Sequence, residues 1–355
     1  MDSDLPMEPY TIAFLRRPSK PSLSMTGSDQ KKTDVTTAIV LLNWNSREMT
    51  AECIRSLLAM TAKNYQIIVV DNGSKDSSSE YLHNLFPDIT ILPQDHNLGF
   101  AAGCNVGMRL ALAHRFKYVL PLNNDTVVDA AFLAELEQAA EEHPQAAMIS
   151  PKIYFWDMPN RFWWAGGSFS LWTGIPKHIG RKDKYLGQFD QNVELDWATG
   201  CAVLIRTDAL RKTGLFDESF FGNAEDLDLS LRMQKAGYQI CFAPAAKLWH
   251  KEGVDYRKNA GEYLRKFTGT RNLLYVMRKH ARAVHWLTFL PNFLVRYVGF
   301  YIALSVFRGD YRSAWAVLQG IFAFFTSPVR RDGILMVESE KLDGIPAPAC
   351  PDKDT

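Results

Sequence analysis

Three short stretches hold the side chains with chemistry to offer. At 122–126 the chain reads LNNDT, closing the apolar run KYVLPL, so Asn123, Asn124 and Asp125 gather where a strand should stop. Roughly a hundred residues later AEDLDL brings Glu225, Asp226 and Asp228, and LWH ends on a lone His250. Carboxylates ligate hard cations and accept protons; imidazole does either. Each piece also has a plain account. Asn and Asp tolerate turn geometry, acids suit a helix N-terminus, and a lone His is more often structural than a ligand. The question is whether one fold gathers them.

The elements needed to do so begin at Thr36. TTAIVLL, YQIIVV, DITIL and KYVLPL are apolar throughout, while SREMTAECIRSLLAM, SSSEYLHNLF and LGFAAGCNVGMRLALAHR have helical spacing. Such alternation predicts an α/β fold with a mainly parallel central sheet covered on both faces. Ligands of such sheets bind at the carboxyl ends of the strands. The polar turns NWN (43–45), DNGS (71–74), HNLGF (96–100) and NNDT (123–126) all fall there. Any one of them is an ordinary turn; four on one edge predict a pocket. The third helix carries Gly99, Gly103 and Gly107 on one stripe. Each costs about 1 kcal/mol against Ala in a helix interior, which implies close backbone approach: packing at Gly107, packing or a phosphate or base at Gly99 and Gly103.

In the second half, RFWWAGGSFSLWTG reads as a loop with short strands and ELDWATGCAVLIR ends in a strand. TDALRKTG is a short helix capped by Thr207 and stopped by Gly214. AEDLDLSLRMQKAGY is a helix with Leu227 and Leu231 on one face, and YQICFAP is a strand. Asp228 falls on a different face from Asp226, where it would be solvated or capping.

Composition narrows the class. The 355 residues are 47% hydrophobic and 22% charged, ordinary for a globular chain. The five cysteines are single and odd in number, which argues against a disulfide framework or zinc knuckle and fits a reducing cytoplasm. No GxGxxG follows the first strand and no GxxxxGK[ST] occurs, so dinucleotide oxidoreductases and P-loop NTPases lose their main support. Residues 1–34 lack periodicity and are expected to be disordered, as are 331–355; the N-terminal residues do not have the pattern of a signal peptide. The net charge of +1 conceals about +10 between Arg257 and Arg330, leaving about −9 elsewhere. An anionic surface is the expected partner. Nucleic acid is excluded as partner because the same segment holds AVHWLTFLPNFLVRYVGFYIALSVF (283–307), too apolar for a solvated nucleic-acid face.

Taken together, IVLLNWN, IIVVDNGSKDSS, HNLGFAAGCNVG, LPLNNDT, WATGCAVLIR, GLFDESFFGNAEDLDLSLRMQKAGY and LWH resemble the inverting glycosyltransferases of family 2, with the nucleotide-sugar-binding GT-A fold. They occur in family order over roughly 36–255, and the resemblance is strongest to bacterial rhamnosyl- and galactofuranosyl-type transferases of cell-surface polysaccharide. The expected organisation is a GT-A domain over 35–255 and a helical, basic tail over 256–330.

The resemblance implies a nucleotide-diphosphate sugar donor, an acceptor that is a saccharide or a polyprenyl-diphosphate-linked one, and Mg²⁺ or Mn²⁺. The family's DxD motif reads Asn123-Asn124-Asp125 here. Asp125 is then the metal ligand, with Asn123 and Asn124 near the ribose or diphosphate and His250 completing the metal site. Asp71 would accept from the base, and Asn43, Asn45 and Asn97 would line it. Asp226 would be the general base, Glu225 its support or the acceptor's guide. Trp197, Thr199 and Gly200 are expected on the acceptor side. Trp163 and Trp164 stack on sugar or belong to the core. A nucleotidyltransferase of similar fold and a silent membrane-bound scaffold are the competing classes. The 283–307 run is long enough to span a bilayer, but His285, Pro291, Asn292 and Arg296 interrupt it. Interfacial attachment at the cytoplasmic face of the bacterial inner membrane is the first expectation, a spanning helix the second, a buried hairpin or homo-oligomer interface the third.

Overall fold

The computed structural model describes residues 35–252 and 261–326. The termini expected to be disordered, and the 255/256 boundary, lie outside the described residues. The first strands are β1 (Thr37–Asn43), β2 (Tyr65–Asp71), β3 (Thr90–Pro93) and β4 (Tyr118–Asn123). Helices α1 (Arg47–Leu58), α2 (Ser78–Leu85) and α3 (Phe100–Ala113) connect them. β5 (Thr126–Val128), α4 (Phe132–Glu142) and β6 (Ala146–Phe155) follow. Short strands β7 (Phe162–Trp164), β8 (Gly167–Ser168), β9 (Lys177–His178), β10 (Val193–Glu194) and β11 (Leu204–Arg206) lead to α5 (Thr207–Thr213), α6 (Glu225–Lys235) and β12 (Gln239–His250). The C-terminal helices are α7 (Gly261–His280), α8 (Ala283–Asn292), α9 (Phe300–Phe307) and α10 (Tyr311–Thr326), with a π-helical stretch, Phe293–Gly299, joining α8 to α9.

The sheet order is β10-β12-β6-β11-β4-β1-β2-β3. β4, β1, β2 and β3 are parallel, as the alternation predicts. β11 is antiparallel to both its neighbours, and β6 and β12 beyond it are parallel to each other. Register explains why the polar turns share one edge: Asn43 pairs with Asp71, Leu42 with Asn123, and Asp71 with Pro93.

The glycine stripe of α3 packs on β1. A Cβ on Gly103 would meet Leu42 Cδ1, and one on Gly107 would meet Val40 Cγ1, each at 2.5 Å. Packing therefore explains both. Two local expectations change. Arg206, not Thr207, occupies the cap of α5, and the Thr207 hydroxyl instead donates to Phe116 O (2.6 Å). The strand begun by YQICFAP does not end at its proline. A register irregularity between Ala243 and Lys247 accommodates Pro244, and β12 continues to His250.

Candidate active site

At the donor edge the predicted side chains form one hydrogen-bonded chain. Asn124 Nδ2 donates to Thr50 Oγ1 (2.9 Å), Thr50 Oγ1 to Asn43 Oδ1 (2.7 Å), and Asn43 Nδ2 to Asp71 Oδ1 (3.1 Å). Ser79 donates to the other Asp71 oxygen. Asn43 is fully buried, its side-chain amide is engaged on both sides and its carbonyl accepts from Asn72 N (2.8 Å), so it fastens β1 to β2. Asn45, at φ +52°, accepts from Lys75 N (2.8 Å). Asn97 Oδ1 accepts from Gly99 N (2.8 Å) and Asn72 Nδ2 (3.0 Å). Asn72, buried between these turns, and Thr50 went unremarked in the sequence because turn composition and helix period do not show which amide bridges two loops.

β5 pairs with the end of β12 so that Thr126 faces His250, which sets His250 beside Asp125. Asp125 Oδ1 and His250 Nε2 are 3.0 Å apart and both residues are buried. Neighbouring ligands of an octahedral ion with bonds of roughly 2.0–2.1 Å are separated by about 3 Å, so the spacing fits a hard divalent cation. Burial would push the imidazole down, but Cys201 and Asp125 outweigh it and raise it well above its ordinary value, so this pocket favours positive charge. Among the described residues no group of three or more His, Cys, Asp or Glu forms a metal cage. Two protein ligands with phosphate and water completing the shell is common for Mg²⁺.

The WATG turn joins the metal pair to the acids of α6. Cys201 O accepts from Asn123 N (2.8 Å), and Gly200 N donates to Asp226 Oδ2 (2.7 Å). The buried Cys201 thiol, pushed up by burial, senses the charges of His250, Asp125 and Asp226 together. One turn therefore connects the three pieces. Glu225 and Asp226 are a buried, interacting pair. Burial and the Asp226 charge push Glu225 well up, and its Oε2 has no hydrogen-bond partner among the described residues. Burial raises Asp226 too, but backbone N–H groups of Gly200 and Leu227 oppose it. Those two N–H groups favour the ionised form at Asp226 over Glu225.

Asp228 is not solvated. It is fully buried, with Arg232 Nε (2.8 Å), Lys279 Nζ (2.7 Å) and His280 Nε2 (2.8 Å) around its carboxylate. Burial would raise it, yet the His280 hydrogen bond and the Arg232 and Lys279 charges hold it far below the usual carboxylate range. Thus α7, which looks in the sequence like the start of a tail, is keyed into α6. Asn272, also fully buried, directs Nδ2 at the carbonyls of Phe220 (2.9 Å), Gly222 (2.8 Å) and Asn223 (2.7 Å). These lie in the turn before Glu225, where Phe221, Asn223 and Ala224 all have positive φ. From the donor side, Phe100 N donates to Phe221 O (2.5 Å), and Gly99 lets the two loops meet. A lone Asn inside a helix gives no sequence signal for such a clamp.

The aromatic expectations resolve toward packing. Trp164 is buried with its Nε1 on Ser150 Oγ (2.9 Å), and Trp163 packs edge-on against His250 at 4.5 Å. Trp197 is buried against Trp164 with its N–H toward Ser168 O (3.3 Å), and Thr199 Oγ1 accepts from Cys201 N (3.3 Å).

A sheet built this way, with a buried Asp–His pair at one strand end and a buried acid pair joined to it through the WATG turn, has the architecture of the GT-A glycosyltransferases. The Glycosyl transferase family 2 model matches residues 38–214, and the chain belongs to that family. The N-acetylglucosaminyl-diphospho-decaprenol L-rhamnosyltransferase of Mycobacterium tuberculosis is 25% identical over 232 residues, 59% of this chain and 74% of that protein. The poly-beta-1,6-N-acetyl-D-glucosamine synthase of Staphylococcus epidermidis is 21% identical over 259 residues, 68% of this chain and 55% of that one. Among solved structures, S. aureus TarS with UDP-GlcNAc superposes with TM-score 0.53 at 15% identity, covering 81% of each chain. A Pyrobaculum calidifontis mannosyltransferase with GDP-Man and Mn²⁺ gives 0.51 at 13%, covering 83% of this chain and 77% of that one. At those identities the structures speak for the fold alone.

Proposed function

We propose that this enzyme transfers a rhamnose-type hexose, with inversion, from a nucleotide-diphosphate sugar to a hydroxyl of a polyprenyl-diphosphate-linked saccharide in cell-surface polysaccharide synthesis. The reaction takes place at the cytoplasmic face of a bacterial inner membrane. The observation that carries it is the meeting of Asp125–His250 and Glu225–Asp226 around the WATG turn. The named activity of the mycobacterial relative supports the acceptor class.

Asp226 Oδ2 takes the proton of the acceptor hydroxyl as its oxygen attacks the anomeric carbon. The bond to the diphosphate breaks with its electron pair leaving on the phosphate oxygen. One displacement from the opposite face inverts the configuration. Glu225, its carboxyl pushed well up by burial and by the Asp226 charge, would support the base or guide the acceptor. Asp71 would accept from the base in a pocket lined by Asn45 and Asn97 and supported from beneath by the buried Asn43, and Asn123 and Asn124 would lie near the ribose or diphosphate. Asp125 and His250 would hold Mg²⁺ or Mn²⁺, which as a Lewis acid neutralises charge on the departing diphosphate.

The test is a panel of nucleotide sugars with Mg²⁺ or Mn²⁺, read as slow donor hydrolysis and as protection from heat. One or a few donors should respond, and excess EDTA should abolish hydrolysis. Full hydrolysis in EDTA would remove the metal from the reading. Release of pyrophosphate from a nucleoside triphosphate and a sugar phosphate would identify a nucleotidyltransferase instead.

A further inference from the structure

A cavity of about 710 Å³ lies away from the donor edge, between the 173–176 loop, Leu273 of α7 and the 289–303 run. Its volume falls in the range of small-molecule sites, roughly 300–1,000 Å³, but its chemistry is unlike that of a sugar site. Phe289, Phe293, Val295 and Phe300 line it, and nearby polar groups are turned to protein partners. Asn292 Nδ2 donates to Thr173 O (2.9 Å) and Thr288 Oγ1 to Trp172 O (2.7 Å). A sugar would find few partners there, whereas an apolar chain would need none.

Two features say which apolar chain. Leu273, in the cavity wall, directly follows Asn272, whose amide holds the turn before Asp226. The cavity therefore adjoins the catalytic turn through one helix. Lys266, two turns before Leu273 on α7, places its ammonium 4.0 Å from the ring of Tyr301, another wall residue. Apolar walls with a cation at the edge suit a hydrocarbon carrying an anionic head. Resting on the function proposed above, we infer that this cavity receives the isoprenoid chain of the lipid-linked acceptor and aligns its diphosphate and sugar toward Asp226.

The first experiment uses the unaltered full chain in detergent micelles with a diazirine-bearing prenyl diphosphate, the labelled peptides being mapped by mass spectrometry. Label should fall on 173–176, Leu273 or 289–303, and unlabelled prenyl diphosphate should displace it far better than phosphatidylglycerol. Label elsewhere, or equal displacement by phosphatidylglycerol, overturns the inference; the second result would mean a bulk-lipid seat. The second experiment fills the space with Ala303→Trp. KM should rise about tenfold for an acceptor on a long prenyl chain relative to the same saccharide diphosphate on a short one. An equal KM ratio in variant and parent also overturns it, and if the variant does not fold the labelling result decides. Donor hydrolysis by the unaltered chain is read in parallel. Its absence tells against the proposed function, whereas hydrolysis with no label in the cavity removes this inference alone.

Discussion

Glu225 and Asp226 are adjacent in sequence, yet their surroundings separate their tasks. Two backbone N–H groups reach Asp226, while Glu225 Oε2 meets none. Asp226→Asn keeps the size and removes proton acceptance. Turnover should fall by ~10²–10⁴, the usual contribution of a general base, while calorimetry should show donor affinity nearly unchanged. An equal loss of donor affinity would make Asp226 a donor ligand or a structural group. Glu225 bears on stability. A carboxyl whose folded pKa is raised costs stability once the pH passes its unfolded value, about 4.3, and the cost grows until the folded pKa is passed. Glu225→Gln should therefore melt higher than the parent at pH 7, by roughly 2–4 °C for about 1 kcal/mol in a domain of this size. The difference should vanish below about pH 4. A lower melting temperature at pH 7 would mean that Glu225 is ionised and paired. The residue types at Asp125, Glu225, Asp226 and His250 are legible in the sequence. The inward turn of Asp228 is not, because its partners Lys279 and His280 come from a helix some fifty residues on.

Among the elements, periodicity revealed β1 to β4 and α1 to α3, since each is long and uniformly apolar or clearly amphipathic. It found the strand that ends CAVLIR but not that β11 inserts antiparallel between β4 and β6, nor that β12 extends past Pro244 to His250, because period carries no strand direction. It missed above all that α7 belongs to the site. Sequence period identifies a helix but not the surface it buries. Asn272 is the strongest evidence for that surface: a single amide faces three carbonyls of a turn whose residues have positive φ. Left-handed backbone at non-glycine residues costs of order 1–3 kcal/mol each and persists only when surroundings enforce it. Asn272→Leu removes that enforcement and takes a donor from the Gly222 and Asn223 carbonyls, while Phe220 O keeps Arg271 Nη2 and Gly222 N, at a cost of about 1–3 kcal/mol in all. We expect a lower melting temperature together with a fall in kcat of about tenfold or more. Donor affinity should persist, because the donor edge is built from β1 to β4. A purely structural Asn272 would lower the melting temperature and leave kcat of the folded fraction intact; that outcome would end the positioning role.

For the molecule as a whole, the basic C-terminal segment divides into two parts. Lys279 and Arg271 turn inward, to Asp217, Asp228 and the carbonyls of Ser219 and Phe220. Most of the exposed large apolar side chains among the described residues lie beyond α7, between Val284 and Phe325; Leu287, Val295, Phe307, Phe322 and Phe325 are each at least 70% exposed. The helical run Ala283–Phe307 is also long and apolar enough to cross a membrane. A patch of this kind marks an interaction surface, and Arg308 and Arg312 within it suit an anionic one. Charge and burial thus predict different consequences for two truncations. A chain ending after Arg282 keeps α7 and its clamp. It should bind donor, act on a short soluble acceptor, and sediment with anionic vesicles far less than the full chain. A chain ending near 255 lacks Asn272, Lys279 and His280, so the turn before Asp226 loses its support and Asp228 loses Lys279 and His280, keeping only Arg232. Breaking a buried ion pair from one side costs about 3–5 kcal/mol, so this shorter chain should melt early and turn over little even on the soluble acceptor. High salt should weaken vesicle binding of the full chain without abolishing it, since salt screens charge but not apolar burial. If the full chain ignores vesicles and instead forms a defined oligomer that the Arg282 truncation breaks, the exposed face is a protein interface.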